Sequence, residues 1–190
     1  DADRANLGQV IAGLRGDLLA LADRRGSDGR HLFGGQGGDG PPLQDGPGGV
    51  SFNGTPGQAS SAAGASAPLS VDGRAVWLQA DDPRAPGQPL SVFAVMDRLA
   101  DELTTPGRSN AEAMETVSRG LAEIDASSAN LSTWRTRTGA TLNRLDALSE
   151  QLSQDGLDAR QARSEAEDLD MVQAISDFQN RQSGYDAALK

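Results

Sequence analysis

From residue 1 to about 25 the apolar positions Leu7, Ile11, Leu14, Leu18 and Leu21 recur in alternating steps of four and three. That spacing lays one apolar seam along a helix that packs lengthwise against others. Arg24 and Arg25 suit the negative end of the helix dipole, and Gly26 followed by Ser27-Asp28-Gly29 predicts the stop. Past Leu32-Phe33 the periodicity gives way, over 34–68, to glycine, proline, serine and alanine, which predicts loops. Short strands are predicted at 50–52, 69–71 and 75–78, with Asn53-Gly54 and Asp72-Gly73 as tight turns. Pro83, Pro86 and Pro89 close this stretch, and Ser91 is a predicted N-cap for a helix carrying Val92, Phe93, Met96, Leu99 and Leu103.

After the turn at Pro106-Gly107, Ser109 or Asn110 starts a longer helix expected to run to about Leu152. Its heptad register places Met114, Leu121, Ser128, Arg135, Leu142 and Ser149 at one seam position and Val117, Ile124, Leu131, Thr138, Leu145 and Leu152 at the other. Eight of these twelve are apolar, enough to sustain a packing seam with polar interruptions. Asp155-Gly156 predicts a break, followed by a last amphipathic helix carrying Leu169, Val172, Ile175, Phe178, Tyr185 and Leu189.

Helices at both ends with a β-prone stretch between them define the expected fold class. It is mainly α, an elongated antiparallel helical bundle with a small inserted β element. Residues 1–33 and 89–190 form a discontinuous helical rod domain, and 34–88 form a small loop-rich β domain. Leu7, Ile11, Leu14, Leu18, Leu121, Ile124, Leu142 and Leu145 are the expected core seam. Aromatic residues make up only 4% of the chain, which suits slender aliphatic seams better than a thick globular core.

Charge narrows the partners. Seventeen basic residues against 27 acidic ones give a formal charge of -10, so phosphate backbones and anionic lipid surfaces attract the chain weakly and nucleic acid is not an expected partner. No apolar run approaches the roughly 20 residues of a membrane helix, so membrane insertion is not expected either. Without cysteine there is no disulfide, thiolate zinc site or cysteine nucleophile, and the single lysine leaves little room for Schiff-base chemistry. The first residues lack the basic-then-apolar order of a cleaved signal peptide, and Asp1 falls inside a helical pattern, which implies that the native chain extends upstream.

The candidate chemistry is sparse. His31 is the only histidine, no G-x-S-x-G accompanies it, and a packing role is expected of it. Gly34, Gly35, Gly37, Gly38 and Gly40 lack the Lys-Ser/Thr of a phosphate loop and lead into Pro41-Pro42 rather than a helix. Glu165, Glu167, Asp168 and Asp170 spread around a helix without a calcium-loop glycine, as on a solvated or interface face. No catalytic residue, cofactor or metal is expected.

The most specific stretch is R-x-x-x-G-A-x-x-N-R-L, with Arg135, Gly139, Ala140, Asn143, Arg144 and Leu145 at its fixed positions. Glycine costs about 1 kcal/mol in a helix interior, so Gly139 beside Ala140 reads either as a close approach by another helix or as a glycine the helix simply tolerates. This pattern resembles the C-terminal helix signature of the flagellin superfamily. Ser164, Glu167, Asp168 and Asp170 are similar to the S-x-x-E-D-x-D segment that opens that family's final helix. Gly29-Arg30-His31-Leu32-Phe33 followed by Gly34-Gly35 resembles the G-R-Y-L-F-x-G turn of its hook-associated branch, with histidine in place of tyrosine. Pro41-Pro42, Phe52-Asn53-Gly54 and Val92-Phe93 before Met96 fit the same branch, whereas 55–68 carry little of it.

The resemblance implies a structural flagellar subunit, not an enzyme, that joins hook to filament. It would be exported unfolded without a cleaved signal peptide, reside extracellularly in the flagellum, and bind an export chaperone through a terminal segment. The implied partners are a neighbouring hook-associated protein, flagellin and further copies of itself in a ring. Arg135, Gly139, Ala140, Asn143, Arg144, Glu167, Asp168 and Asp170 are the implied subunit-contact residues. The other readings are a filament-forming flagellin and, more remotely, a generic coiled-coil scaffold.

Overall fold

The computed structural model describes residues 2–38, 40–57 and 70–189, with the side chains of 168–170 and 172 outside that description. The fold is mainly α with a small β element. Two compact units divide it, Asp1–Thr141 and Leu142–Lys190.

In the first unit, helix α1 (Ala2–Ala22) packs against helix α3 (Val92–Thr104). The two run antiparallel, since Gly8 faces Ala100 and Thr104 while Arg15, further along α1, reaches Asp97. Ser91 caps α3 as expected, its Oγ accepting from the Ala94 N–H at 3.4 Å. Phe93 and Val95 of α3 are fully buried, and Leu99, Ala100 and Leu103 nearly so, which makes α3 the centre of the unit. Burying each such large apolar side chain contributes about 1.5–3 kcal/mol.

Helix α4 (Asn110–Ala188) starts at a capping box. Ser109 Oγ accepts from the Glu112 N–H at 3.3 Å while Glu112 Oε2 accepts from the Ser109 N–H at 2.7 Å. Its first turns lie antiparallel to α3, with Thr116 and Arg119 against Glu102 and Glu123 against Arg98. The break predicted at Asp155-Gly156 does not occur. A lone glycine costs only about 1 kcal/mol, less than the surrounding helix formers supply.

Strands β1 (Leu43–Gly46) and β2 (Gly49–Phe52) form an antiparallel hairpin in register Leu43 with Phe52. Its turn lies at Gly46-Pro47-Gly48-Gly49, where Gly49 takes φ +92°, not at Asn53-Gly54. The strand predicted at 75–78 is instead a short helix, α2 (Gly73–Trp77). Asp72 decides this: its carboxylate accepts from the Arg74 and Ala75 N–H groups and converts a turn signal into an N-cap. Of the strand expected at 69–71, residue 69 lies outside the described residues. Val71 is extended loop, bonded through its backbone to Leu32 and Gly35. A second two-stranded pair, β3 (Ala80–Asp81) with β4 (Pro89–Leu90), closes the stretch.

The core combines these parts. Ala22, Leu43, Val76, Trp77 and Phe93 cluster with Phe33, Phe52, Leu131 and Trp134, while Ala80, Leu90, Val95 and Leu99 cluster with Ile11 and Ala126. Residues from 34–88 therefore share one core with α1, α3 and the start of α4. Phe33 stacks edge-on against Trp77 with ring centroids 5.2 Å apart.

The expected core seam is a core only at two places. Ile11 and Leu18 pack inward, but Leu7, Leu14, Leu121, Ile124, Leu142 and Leu145 are exposed. On α1 the reason lies in the helix register. The line facing α3 is Gly8, Arg15 and Ala22, spaced seven apart, and at about 100° per residue the leucines sit on the adjoining face. Small residues let the backbones approach: a Cβ on Gly8 would lie 2.7 Å from Thr104 Cγ2 and 2.9 Å from the Ala100 carbonyl oxygen.

In the second unit α4 is exposed along its described length apart from the half-buried Leu148, and it is supported by pairs one turn apart. Gln154 donates to Asp158, Gln161 to Glu165, and Arg163 to Glu167 at 2.8 Å.

Candidate functional site

Three arginine-carboxylate clusters hold the first unit in one geometry. Arg15 bonds Asp45 of β1 and lies 2.7 Å from Asp97 of α3, with its guanidinium 6.0 Å from the Phe93 ring centroid. Hydrogen bonding from Arg15 holds the Asp45 carboxyl below the usual carboxylate range, and the two acids raise the arginine in turn. Arg98 pairs with the buried Glu123. Glu102 accepts from Thr116 Oγ1 at 2.5 Å, from Arg108 at 3.0 Å and from Arg119. Burial of Glu102 opposes its charge, but these donors outweigh that cost and lower it to about 2. Arg4 adds a bond from α1 to the Arg108 carbonyl at 2.9 Å. Asn130 of α4 donates to the Ala75 and Val76 carbonyls at the end of α2.

On this fixed framework two apolar stripes are left uncovered. On α1, Leu7, Val10, Leu14 and Leu21 are about half exposed; on α4, Met114, Val117, Leu121 and Ile124 are exposed to between 37% and 74%. Both follow the three-and-four spacing of a helix-packing seam. Scattered surface leucines are ordinary, whereas ordered apolar stripes of this kind are uncommon on a lone soluble chain. The second unit carries its own exposed apolar residues, Leu142, Leu145, Leu152, Leu157, Met171, Ile175, Phe178, Tyr185 and Leu189.

The residues singled out for subunit contact fall on α4. Arg135 and Gly139, one turn apart, share a face in the first unit, with Ala140 exposed beside them. Asn143 and Arg144 are exposed in the second unit. The side chains of Arg135, Asn143 and Arg144 make no hydrogen bond or ion pair among the described residues. Glu167 is exposed and paired with Arg163, and the side chains of Asp168 and Asp170 lie outside the described residues. Of the two readings of Gly139, the close helix approach is not made: a Cβ there would meet nothing within 4 Å. Within α1 and α4 the glycines that do admit a neighbour are Gly8 and Gly120, the latter against the Leu99 side chain. Their signal was a glycine inside a strongly helical stretch, the same signal that drew attention to Gly139.

No family model matches the chain. It is 27% identical over 202 residues to flagellar hook-associated protein 3 of Escherichia coli K12, which covers all of this chain and 63% of that protein. The chain thus spans under two thirds of that relative's length. Its fold is similar to the crystal structure of flagellar hook-associated protein-3 from Legionella pneumophila, with TM-score 0.70 and 16% identity over 83% of this chain and 79% of the other. It is also similar to the flagellar junction protein FlgL from Legionella pneumophila, with TM-score 0.65 and 16% identity over 77% and 81%.

The fold is that of the flagellar hook-associated axial proteins. Within that class, the likeness in sequence and in fold runs to hook-associated protein 3, the FlgL type.

Proposed function

We propose that this chain is a structural subunit of the bacterial flagellum that joins hook to filament and catalyses no reaction. The observation that carries the reading is the pair of uncovered seams, Leu7-Val10-Leu14-Leu21 and Met114-Val117-Leu121-Ile124, on a unit already braced by arginine clusters. A monomer gains nothing from ordered apolar stripes facing water, whereas a subunit in an array buries them against its neighbours. The likeness to hook-associated protein 3 supports the hook end of the axial structure as the place. Arg135, Gly139, Ala140, Asn143, Arg144 and Glu167 are the polar and small residues assigned to neighbouring subunits. The partners in this reading are the adjoining hook-associated protein, flagellin and further copies in a ring, reached after export without a cleaved signal peptide. An export chaperone would shield the subunit before assembly.

Deleting the gene and inspecting cells by electron microscopy tests this. Hooks without filaments, with filament protein shed into the medium, are expected. Hooks carrying ordinary filaments would refute the role, and short or absent filament material with no shed protein would favour a filament-forming flagellin.

A further inference from the structure

Asn53-Gly54 spells a tight turn in the sequence, yet the β1-β2 hairpin turns at 46–49 and leaves this pair just past the end of β2. We propose that Asn53 is a self-modifying site, at which the Gly54 backbone nitrogen displaces the side-chain amide and converts the asparagine to aspartate or isoaspartate.

Three features place the reaction here. Asn53 is exposed, and its side chain makes no hydrogen bond or ion pair among the described residues. The Gly54 N–H donates to no acceptor among the described residues, although both neighbours are engaged: the Asn53 N–H with the Pro42 carbonyl at 2.8 Å and the Thr55 N–H with the Gly37 carbonyl at 3.4 Å. An N–H without an internal acceptor is met by water, so it can pass its proton to solvent base without breaking a bond inside the fold. Packing demands glycine at 54, since a Cβ there would lie 2.6 Å from Phe52 Cζ and 2.8 Å from the Gly34 carbonyl oxygen. The fold thus keeps after Asn53 the residue that shields the attacking nitrogen least.

The competing positions are closed off. The other five asparagines, Asn6, Asn110, Asn130, Asn143 and Asn180, lie in α1 or α4, where helical dihedrals hold the next nitrogen away from the side-chain carbon. None of the five precedes a glycine. Of the aspartates that do, Asp72 is held by the Gly57, Arg74 and Ala75 N–H groups and Asp45 by Arg15.

The chemistry balances with water alone. The Gly54 nitrogen gives its proton to solvent and bonds to Asn53 Cγ; the Cγ–Nδ2 bond breaks, and Nδ2 takes up a proton and leaves as ammonia. Water then opens the cyclic imide. Cleavage of the new N–Cγ bond restores the main chain and leaves aspartate, while cleavage of the bond between the Asn53 carbonyl carbon and the Gly54 nitrogen leaves the main chain running through Cγ, as isoaspartate. Either product adds a negative charge to a chain of net charge -10. Only isoaspartate lengthens the main chain, between Phe52, paired with Leu43 in the hairpin, and Thr55, whose carbonyl accepts from the Gln36 N–H at 2.8 Å. It therefore loosens the hairpin from the turn after α1.

The test incubates the whole folded chain at mildly alkaline pH in ammonia-free buffer, beside the same chain unfolded in urea. Peptide mass spectrometry follows the exchange of NH2 for OH, and an isoaspartyl methyltransferase assay counts the iso-linkages. Conversion confined to Asn53 and yielding both products is expected in the folded chain. Reaction through global unfolding alone would make the folded chain slower than the unfolded one by about a thousandfold or more, and the folded rate is expected to fall well short of that penalty. The exposed substitution N53Q, which must close a larger ring, is expected to remove the conversion and leave the thermal midpoint unchanged. Hydrogen exchange at Gln36 and Thr55 is expected to be faster in the isolated isoaspartate form than in N53D, which carries the same charge on an unaltered main chain; equal exchange would contradict the loosening. Conversion spread over the other asparagines, or a folded rate reduced by the full unfolding penalty, would overturn the proposal. Filament attachment is untouched by this test, so its outcome is independent of the junction role.

Discussion

Gly8 and Ala100 lie so close that a methyl group on Gly8 would stand 2.9 Å from the Ala100 carbonyl oxygen. Alanine is the better helix former by about 1 kcal/mol, yet here it would push α1 off α3. Overpacking of this kind costs about 1–3 kcal/mol, so G8A is expected to lower stability despite the gain in propensity. Chemical denaturation of G8A beside G13A checks this, because Gly13 has nothing within 4 Å of its added Cβ and should gain stability instead.

Glu102 gives the chain an acid-sensitive joint between α3 and α4. Its folded value, about 2, lies below its ordinary 4.5. A depressed carboxylate contributes stability that is present above the unfolded value and is lost as pH falls through the folded one. Stability is therefore expected to decline between about pH 4.5 and pH 2. The substitution E102Q is expected to cost about 1–3 kcal/mol at neutral pH, with the gap to the parent chain closing in acid. Denaturation midpoints at pH 7 and pH 3 measure it.

Arg15 ties the β1-β2 hairpin to both α1 and α3 through Asp45 and Asp97. Lysine carries the charge but not the two-pronged geometry. R15K is expected to leave helix content intact while amide exchange speeds up in the hairpin, at Gln44 and Val50 first. Hydrogen exchange followed by NMR would show protection unchanged from the parent chain instead if Arg15 mattered only through its charge, which lysine keeps.

Asp72 makes an irregular stretch locally definite. It caps α2 and also accepts from the Gly57 N–H at 2.8 Å while being buried. D72A is expected to cost about 1–2 kcal/mol, and D72N, which keeps a capping oxygen, less than half as much. Thermal unfolding of the pair decides between a capping role and a purely electrostatic one.

Much of the helical plan was legible from the apolar spacing and two caps, Ser91 and Ser109, because those signals are local. The β stretch was less so. Asp72-Gly73 spells a hairpin turn and a helix N-cap equally well, and the cap that Asp72 makes is favoured by the burial of Trp77 beside Phe33 and Phe93, a tertiary contact. The seam leucines were found but their burial was not, since the line that meets α3 is Gly8, Arg15 and Ala22, which no hydrophobic count selects. Glu102 was missed for a similar reason: its importance comes from Arg108 in the following turn and from Thr116 and Arg119 on α4, a tertiary relation that residue spacing does not show. Of the residues proposed for contact on the R-x-x-x-G-A-x-x-N-R-L motif, Arg135, Ala140, Asn143 and Arg144 are exposed and Gly139 is half-buried, and a seam shared with another molecule is not a relation that one chain displays.

The account turns on the uncovered seams being assembly faces. Leu14 and Leu121 are exposed, 53% and 58%, so L14E/L121E is expected to change the stability of the chain by no more than about 0.5 kcal/mol per site. The decisive measurement replaces the chromosomal gene with this variant, verifies that the variant is secreted and folded, and counts filaments per cell by electron microscopy. Secreted, folded subunits with hooks lacking filaments are predicted, and a normal number of attached filaments would contradict the account.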